Sequence, residues 1–253
     1  NGQRALSNNS VAYKCKPEIG TFMEEWLSLY KSKSGERGIF NREAAQKTVE
    51  KLGDRRDATY DFGCNPCSEI LLRDREFCNL SEVVIRKDDT LTTLKEKVRL
   101  ATIIGTWQST LTNFRYLSSE WKKNCEEERL LGVSMTGIMD NDLTNGNMGS
   151  AKLKKSLEEL RQVAIDTNKV WAKKFKINES AAITTVKPSG TVSQLVDSAS
   201  GIHSRHADYY IRTVRADIKD PLCQFMIEKG FPNEPDVTKP EHTMVFSLPM
   251  ESP

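Results

Sequence analysis

The sequence predicts an α/β fold with largely parallel strands, and three observations carry that reading. Apolar residues recur at three- and four-residue steps in several long segments, short β-branched runs lie between those segments, and the two kinds alternate along the chain. Periodicity alone does not distinguish an open sheet from a closed barrel.

Taken in order, Thr21 followed three residues later by Glu24 is a capping-box signal, opening a helix that carries Trp26, Leu27 and Tyr30. Asn41 is the next N-cap and Gly53 the matching stop. Leu91, Leu94, Val98, Ala101, Trp107, Leu111 and Phe114 mark a long helix with one buried face, and Leu153, Leu157, Leu160 and Ala164 repeat the pattern. Asp220, Pro221 and Gly230 supply the N-cap, first-turn proline and terminal glycine of a shorter helix. Strands are expected at 82–86, 131–136, 182–186, 209–214 and 244–248. The polar stretch 141–150 reads as an exposed loop, and there is no internal repeat or low-complexity tract.

Composition narrows the function classes. Thirty-seven Lys and Arg against 35 Asp and Glu give a net charge of +2, too balanced for a dedicated nucleic-acid or membrane surface, so a small partner is expected. No apolar run reaches the roughly eighteen residues that cross a bilayer, and the start lacks the pattern of a signal peptide, which points to the cytoplasm. Six irregularly spaced cysteines do not make a disulfide framework, so each thiol is a candidate for chemistry or plain burial. The chain begins at Asn1 without methionine and stops at Pro253 just after a strand-like run, so a piece of something longer is expected.

The densest chemistry lies in Gly63-Cys64-Asn65-Pro66-Cys67-Ser68-Glu69-Ile70, followed by Phe77-Cys78-Asn79-Leu80. Pro66 interrupts regular structure beside Cys67, favouring a loop that presents a thiol, an amide and a carboxylate together. A thiol beside a carboxylate suits hydrogen-atom or proton transfer. On residues alone, Cys64 and Cys67 could also be half of a zinc site, a redox pair or structural thiols. Zinc would need a second pair, and Cys78, Cys125 and Cys223 stand alone with no nearby histidine. The second motif is Thr184-Thr185-Val186-Lys187-Pro188-Ser189-Gly190-Thr191-Val192, a β-branched run entering a Pro/Gly turn and then a helix. Such a turn can aim backbone amides at an anion, or be only a strand-to-helix connection.

N-P-C-S-E-I followed by F-C-N-L resembles the active-site loop of ribonucleotide reductases. The resemblance implies a thiyl radical on Cys67, ribose-hydroxyl binding and deprotonation by Asn65 and Glu69, and a reducing role for Cys78 whose partner thiol lies outside this chain. The eleven-residue step from Cys67 to Cys78 is similar to that of the monomeric adenosylcobalamin-dependent triphosphate reductases, and shorter than in the di-iron class I enzymes. Cys64 departs from the family pattern and receives no role. N-E-S ahead of T-T-V-K-P-S-G-T-V resembles the phosphate-binding segment of the same reductases, implying phosphate contacts at Pro188, Ser189, Gly190 and Thr191.

Further segments match in the family's order: Ser7 to Ala12, Gly38-Ile39-Phe40-Asn41 and Leu131 to Ile138, read as buried strands and turns. His203 and His206 follow a helix end and read as surface or satisfied side chains.

The resemblance covers nearly the whole chain. It implies that residues 1–253 are a partial catalytic domain from a ten-stranded α/β barrel, reducing ribonucleotides with adenosylcobalamin and with thioredoxin or a similar dithiol. A complementary polypeptide could complete the barrel, and the isolated chain is expected to be inactive. A di-iron class I α-chain fragment and a non-catalytic nucleotide-binding fragment are the competing expectations.

Overall fold

The computed structural model describes residues 9–33, 37–53 and 55–252. Asn1, Ser7, Asn8 and Pro253 lie outside the described residues. The chain forms two compact units divided after Ile202. The α/β class is borne out.

The first unit opens with β1 (Asn9–Tyr13) and β2 (Arg37–Asn41), paired in parallel with Val11 opposite Ile39. Between them runs α1 (Ile19–Ser32), whose cap is Glu18 rather than Thr21: the Glu18 carboxylate accepts the Thr21 N–H at 2.9 Å. An acidic side chain one turn earlier thus satisfies the amide that the capping-box reading left to Thr21. Trp26, Leu27 and Tyr30 are exposed on this helix. α2 (Arg42–Glu50) starts at Asn41, whose side chain accepts the Ala44 N–H at 2.9 Å. A small core of Ala45, Val49 and Phe62 fixes α2 beneath a hairpin of β3 (Gly63–Cys64) and β4 (Leu71–Leu72).

The main core lies under a parallel pair, β5 (Asn79–Val84) and β6 (Leu131–Thr136). The first strand starts three residues earlier than the expected 82–86, because Asn79 already bonds the backbone of Leu130. Val83 and Ile85, with Leu131 and Val133, point toward α3 (Leu91–Gln108) and α5 (Ser150–Phe175), meeting Leu94, Val98, Ala101, Leu160 and Ala164. Burying each of the larger of these side chains is worth about 1.5–3 kcal/mol. The long helix ends at Gln108, so Leu111 and Phe114 fall beyond it, and Trp107 is half-exposed. α4 (Ser119–Glu128), which the apolar pattern does not announce, leads into β6.

Residues 182–185 run alongside β6 in parallel, through the Leu131 N–H to Ala182 O (3.0 Å), the Val133 N–H to Ile183 O (2.8 Å) and the Thr185 N–H to Val133 O (3.1 Å). The stretch 141–150 is only partly an exposed loop. Asn141 is buried because its amide donates to the carbonyls of Arg86, Lys87 and Asp89 at 2.8–3.1 Å, so the loop's first residue is a structural tie. The short helix α6 (Gly190–Leu195) follows the second motif.

The second unit is antiparallel, which departs from the parallel expectation. β7 (Tyr209–Asp217) and β8 (Asn233–Pro235) flank β9 (Thr243–Glu251), and α7 (Pro221–Glu228) begins at Asp220, whose side chain accepts the Leu222 N–H at 2.8 Å. His203 and His206 are exposed here. Among the described residues, no helix is long and apolar enough to cross a membrane.

Candidate active site

The β3–β4 hairpin carries Cys67 at its tip. Asn65 closes the loop at both ends: its backbone N–H donates to Ile70 O at 3.3 Å, and its side-chain oxygen accepts the Ile70 N–H at 3.0 Å. Its carbonyl accepts the Ser68 N–H at 2.9 Å, and Ser68 takes a left-handed φ of 63° to complete the turn. Inside that turn Cys64 Sγ and Ser68 Oγ lie 3.4 Å apart, so Cys64 packs within the loop while Cys67 is exposed.

Glu69 connects this loop to the second motif, since its carbonyl accepts the Thr185 hydroxyl at 2.7 Å. Its carboxylate is part-buried, and Oε2 has no protein partner. Cys78, just before β5, is the third element. Strand alternation puts Cys78, Leu80 and Glu82 on the face of the sheet away from the helices, beside Gly132, Ser134 and Thr136. A Cβ on Gly132 would stand 3.2 Å from both Cys78 Sγ and Thr185 Cγ2, so a glycine there makes room for the thiol and the threonine together. Burial, and then the negative charge of Glu69, push the Cys78 thiol up to about 12, keeping it protonated. Cys125 is different in kind: buried, and accepting the Phe77 N–H at 3.4 Å, it is a packed structural thiol.

The turn 188–191 divides by side chain. Pro188, Gly190 and Thr191 are exposed, and nothing lies within 4 Å of where a Gly190 Cβ would be. Ser189 is buried, its hydroxyl 2.5 Å from Thr136 Oγ1 and accepting the Gly201 N–H at 2.8 Å. Its hydroxyl is committed to the protein, so only its backbone could face a ligand. Gly201 packs behind the turn at φ +54°, where a Cβ would come 3.0 Å from the Lys187 carbonyl oxygen.

Beneath the hairpin sits a buried ionic cluster that the sequence reading missed. The Arg56 guanidinium lies 3.2 Å from Glu76 and 2.8 Å from Glu128, and Arg73 lies 3.4 Å from Glu76 and 3.2 Å from Glu128. Arg56 also donates to Leu71 O at 2.8 Å, and the Arg73 N–H donates to Glu76 at 2.9 Å, so the cluster clamps the chain between the Cys67 hairpin and Cys78. Phe62 and Tyr60 rings face Arg56 and Arg73 at 4.6 and 4.9 Å. Burial, and then the charge of Glu76, raise the Glu128 carboxyl to about 7. No motif marks these four residues, because they come from three separate segments and are recognised only by mutual contact. Glu82 and Lys187, 3.5 Å apart on the same face as Cys78, were also passed over. A charged residue inside a strand was the available signal.

The chain is similar in sequence and in fold to known proteins. A ribonucleoside-triphosphate reductase of Lactobacillus acidophilus, named adenosylcobalamin-dependent, is 30% identical over 98% of this chain, and its counterpart from Lactobacillus gasseri is 29% identical over the same share. Over nearly its whole length, the chain is similar to adenosylcobalamin-dependent ribonucleoside-triphosphate reductases. It spans 36% of the length of these reductases. The crystal structure of a B12-dependent, class II ribonucleotide reductase superposes with a TM-score of 0.74 at 24% identity, covering 97% of this chain and 37% of that one, which establishes a shared fold. No family profile matches the chain. The reductase resemblance read from N-P-C-S-E-I and P-S-G-T is therefore borne out across the chain, and not only at the motifs.

Proposed function

We propose that this chain is part of the catalytic core of an adenosylcobalamin-dependent ribonucleotide reductase, and that it reduces ribonucleoside triphosphates to 2'-deoxyribonucleotides when the rest of the core is supplied. The observation that carries the reading is the meeting of three distant segments: Glu69 bonds Thr185, and Gly132 leaves the space in which Cys78 and Thr185 lie side by side. In this proposal β5, β6 and residues 182–185 are successive strands of a ten-stranded barrel, and the Cys67 hairpin is its central loop. Six free cysteines suit a cytoplasmic setting, where thiols stay reduced.

Adenosylcobalamin, when bound, supplies the radical initiator, and the fit on this chain is that the Cys67 thiol is exposed at a loop tip where an initiator can reach it. As a thiyl, Cys67 takes the 3'-hydrogen of the ribose. Glu69, whose Oε2 is buried without a protein partner, takes the 3'-hydroxyl proton, the 2'-hydroxyl leaves as water with a proton from one thiol of the reducing pair, the pair's other hydrogen goes to C2', and Cys67 finally returns its hydrogen atom to C3'. Asn65 uses its side-chain oxygen on Ile70, which leaves its amide nitrogen to donate to a ribose hydroxyl. Cys78, held as a protonated thiol, provides hydrogen and then forms a disulfide with a second thiol from outside this chain, which thioredoxin or a similar dithiol reduces. The substrate phosphates rest on the turn 188–191, where Gly190 leaves open space. The eleven-residue step from Cys67 to Cys78 and the names of the relatives both favour cobalamin over a di-iron partner.

The test is deoxyribonucleotide formation by this chain combined with a complementary polypeptide that completes the barrel, given adenosylcobalamin and a dithiol. Turnover is expected only with all components. Cys67→Ser should abolish it, because an alcohol O–H bond is too strong to relay hydrogen atoms, and native-like turnover by that variant would overturn the proposal.

A further inference from the structure

The phosphate turn, as described, offers backbone amides but no positive charge of its own. A triphosphate carries several negative charges, and removing them from water without a cation is costly. Lys187 immediately precedes the turn, and its backbone N–H is pinned by Ser134 Oγ at 3.0 Å, which fixes the residue on the face that also carries Cys78 and Gly132. The Lys187 side chain is largely buried, 24% exposed, and its ammonium lies 3.5 Å from Glu82 Oε2. That contact is long for a charge-assisted hydrogen bond, which closes at about 2.7–2.9 Å. Glu82 is 9% exposed, and its other oxygen, Oε1, is buried without a hydrogen-bond partner.

The pair is therefore not a closed network. The carboxylate has one oxygen unused and the other at the edge of bonding distance, and the ammonium, carried by the residue that precedes the turn, has donors left over.

We infer that Lys187 is a phosphate-binding residue of this site and that Glu82 is the internal anion that partly neutralises it, lowering its grip on the ligand. This rests on the phosphate reading of the turn given above. Lys187 would bridge the Glu82 carboxylate and a ligand phosphate, with Glu82 repelling that phosphate at close range.

The inference makes predictions of opposite sign for the two partners, which a purely structural pair would not. The measurement is the dissociation constant of inorganic tripolyphosphate and of a ribonucleoside triphosphate for the chain and its variants, with circular dichroism verifying the fold of each. Lys187→Met keeps the length of the side chain and removes the charge, and should weaken both ligands about tenfold, as loss of one charge-assisted contact does. Lys187→Arg should restore most of the affinity. Glu82→Gln keeps the shape and a carbonyl for Lys187 but removes the competing charge, and should tighten both ligands several-fold. Native-like binding by Lys187→Met, or weaker binding by Glu82→Gln, would overturn the inference while leaving the turn's role intact. Failure of the unmodified chain to bind either ligand would overturn the phosphate reading and this inference together.

Discussion

Replacing Glu76 with glutamine puts the buried charge cluster to a quantitative test. In the native chain Arg56 and Arg73 face Glu76 and Glu128, and none of the four side chains is more than 6% exposed. The substitution leaves two buried guanidinium groups to share Glu128, with the half-exposed Glu127, 3.3 Å from Arg73, as the other partner, and losing one carboxylate of a buried set costs up to about 3–5 kcal/mol. The glutamine carbonyl can still accept the Arg73 N–H, so the lower end applies, about 3 kcal/mol, or roughly 6–12 °C in Tm for a chain of this size.

A second effect follows from Glu128. Its carboxyl is raised from 4.5 to about 7 by burial and then by Glu76. A carboxyl raised in the folded state contributes stability that is complete below its unfolded value and lost as pH climbs through the folded one. The native chain therefore loses this contribution between about pH 4.5 and 7. Without the Glu76 charge one cause of the upward shift is gone while burial, the larger cause, remains, so the Glu128 carboxyl moves down and part of that loss disappears. The penalty of Glu76→Gln should accordingly be greater at pH 5 than at pH 8. Urea unfolding followed by circular dichroism across that range measures both quantities. A variant within about 0.5 kcal/mol of native at pH 7, or an identical penalty at both pH values, would refute the reasoning.

Two further outcomes are expected near the reactive thiols. Gly132→Ala places a methyl group 2.5 Å from Leu80 Cδ2 and 3.2 Å from Cys78 Sγ and Thr185 Cγ2; the leucine tip can move, but the crowding should lower stability by about 1–3 kcal/mol in thermal melts. An unchanged melt would contradict the packing of Cys78 against Gly132. With its thiol pushed up to about 12, Cys78 should resist iodoacetamide at pH 8 in the folded chain while exposed Cys67 is modified, as peptide mapping would report. Equal rates at the two cysteines would refute the burial argument.

The sequence by itself determined what depends on neighbours along the chain. The Asn41 and Asp220 caps and the strand Leu131–Thr136 were legible because a helix start is decided by a side chain within one turn, and a strand by alternation over a few residues. The order Cys67, Glu69, Cys78 was legible for the same reason, as a contiguous motif. Where a competing group stood just outside the pattern the local reading failed, as at Glu18, which caps α1 ahead of Thr21. Only the tertiary structure decided which distant groups share a surface. Thr185 reaches Glu69 across 116 residues, Ser189 turns its hydroxyl to Thr136 across 53, and Asn141 ties down three carbonyls of another loop. The Arg56–Glu76–Arg73–Glu128 cluster and the Glu82–Lys187 pair belong to the same class. Such contacts are fixed by parallel strand register and by the need to satisfy charges and polar groups removed from water, and both act through space rather than along the chain.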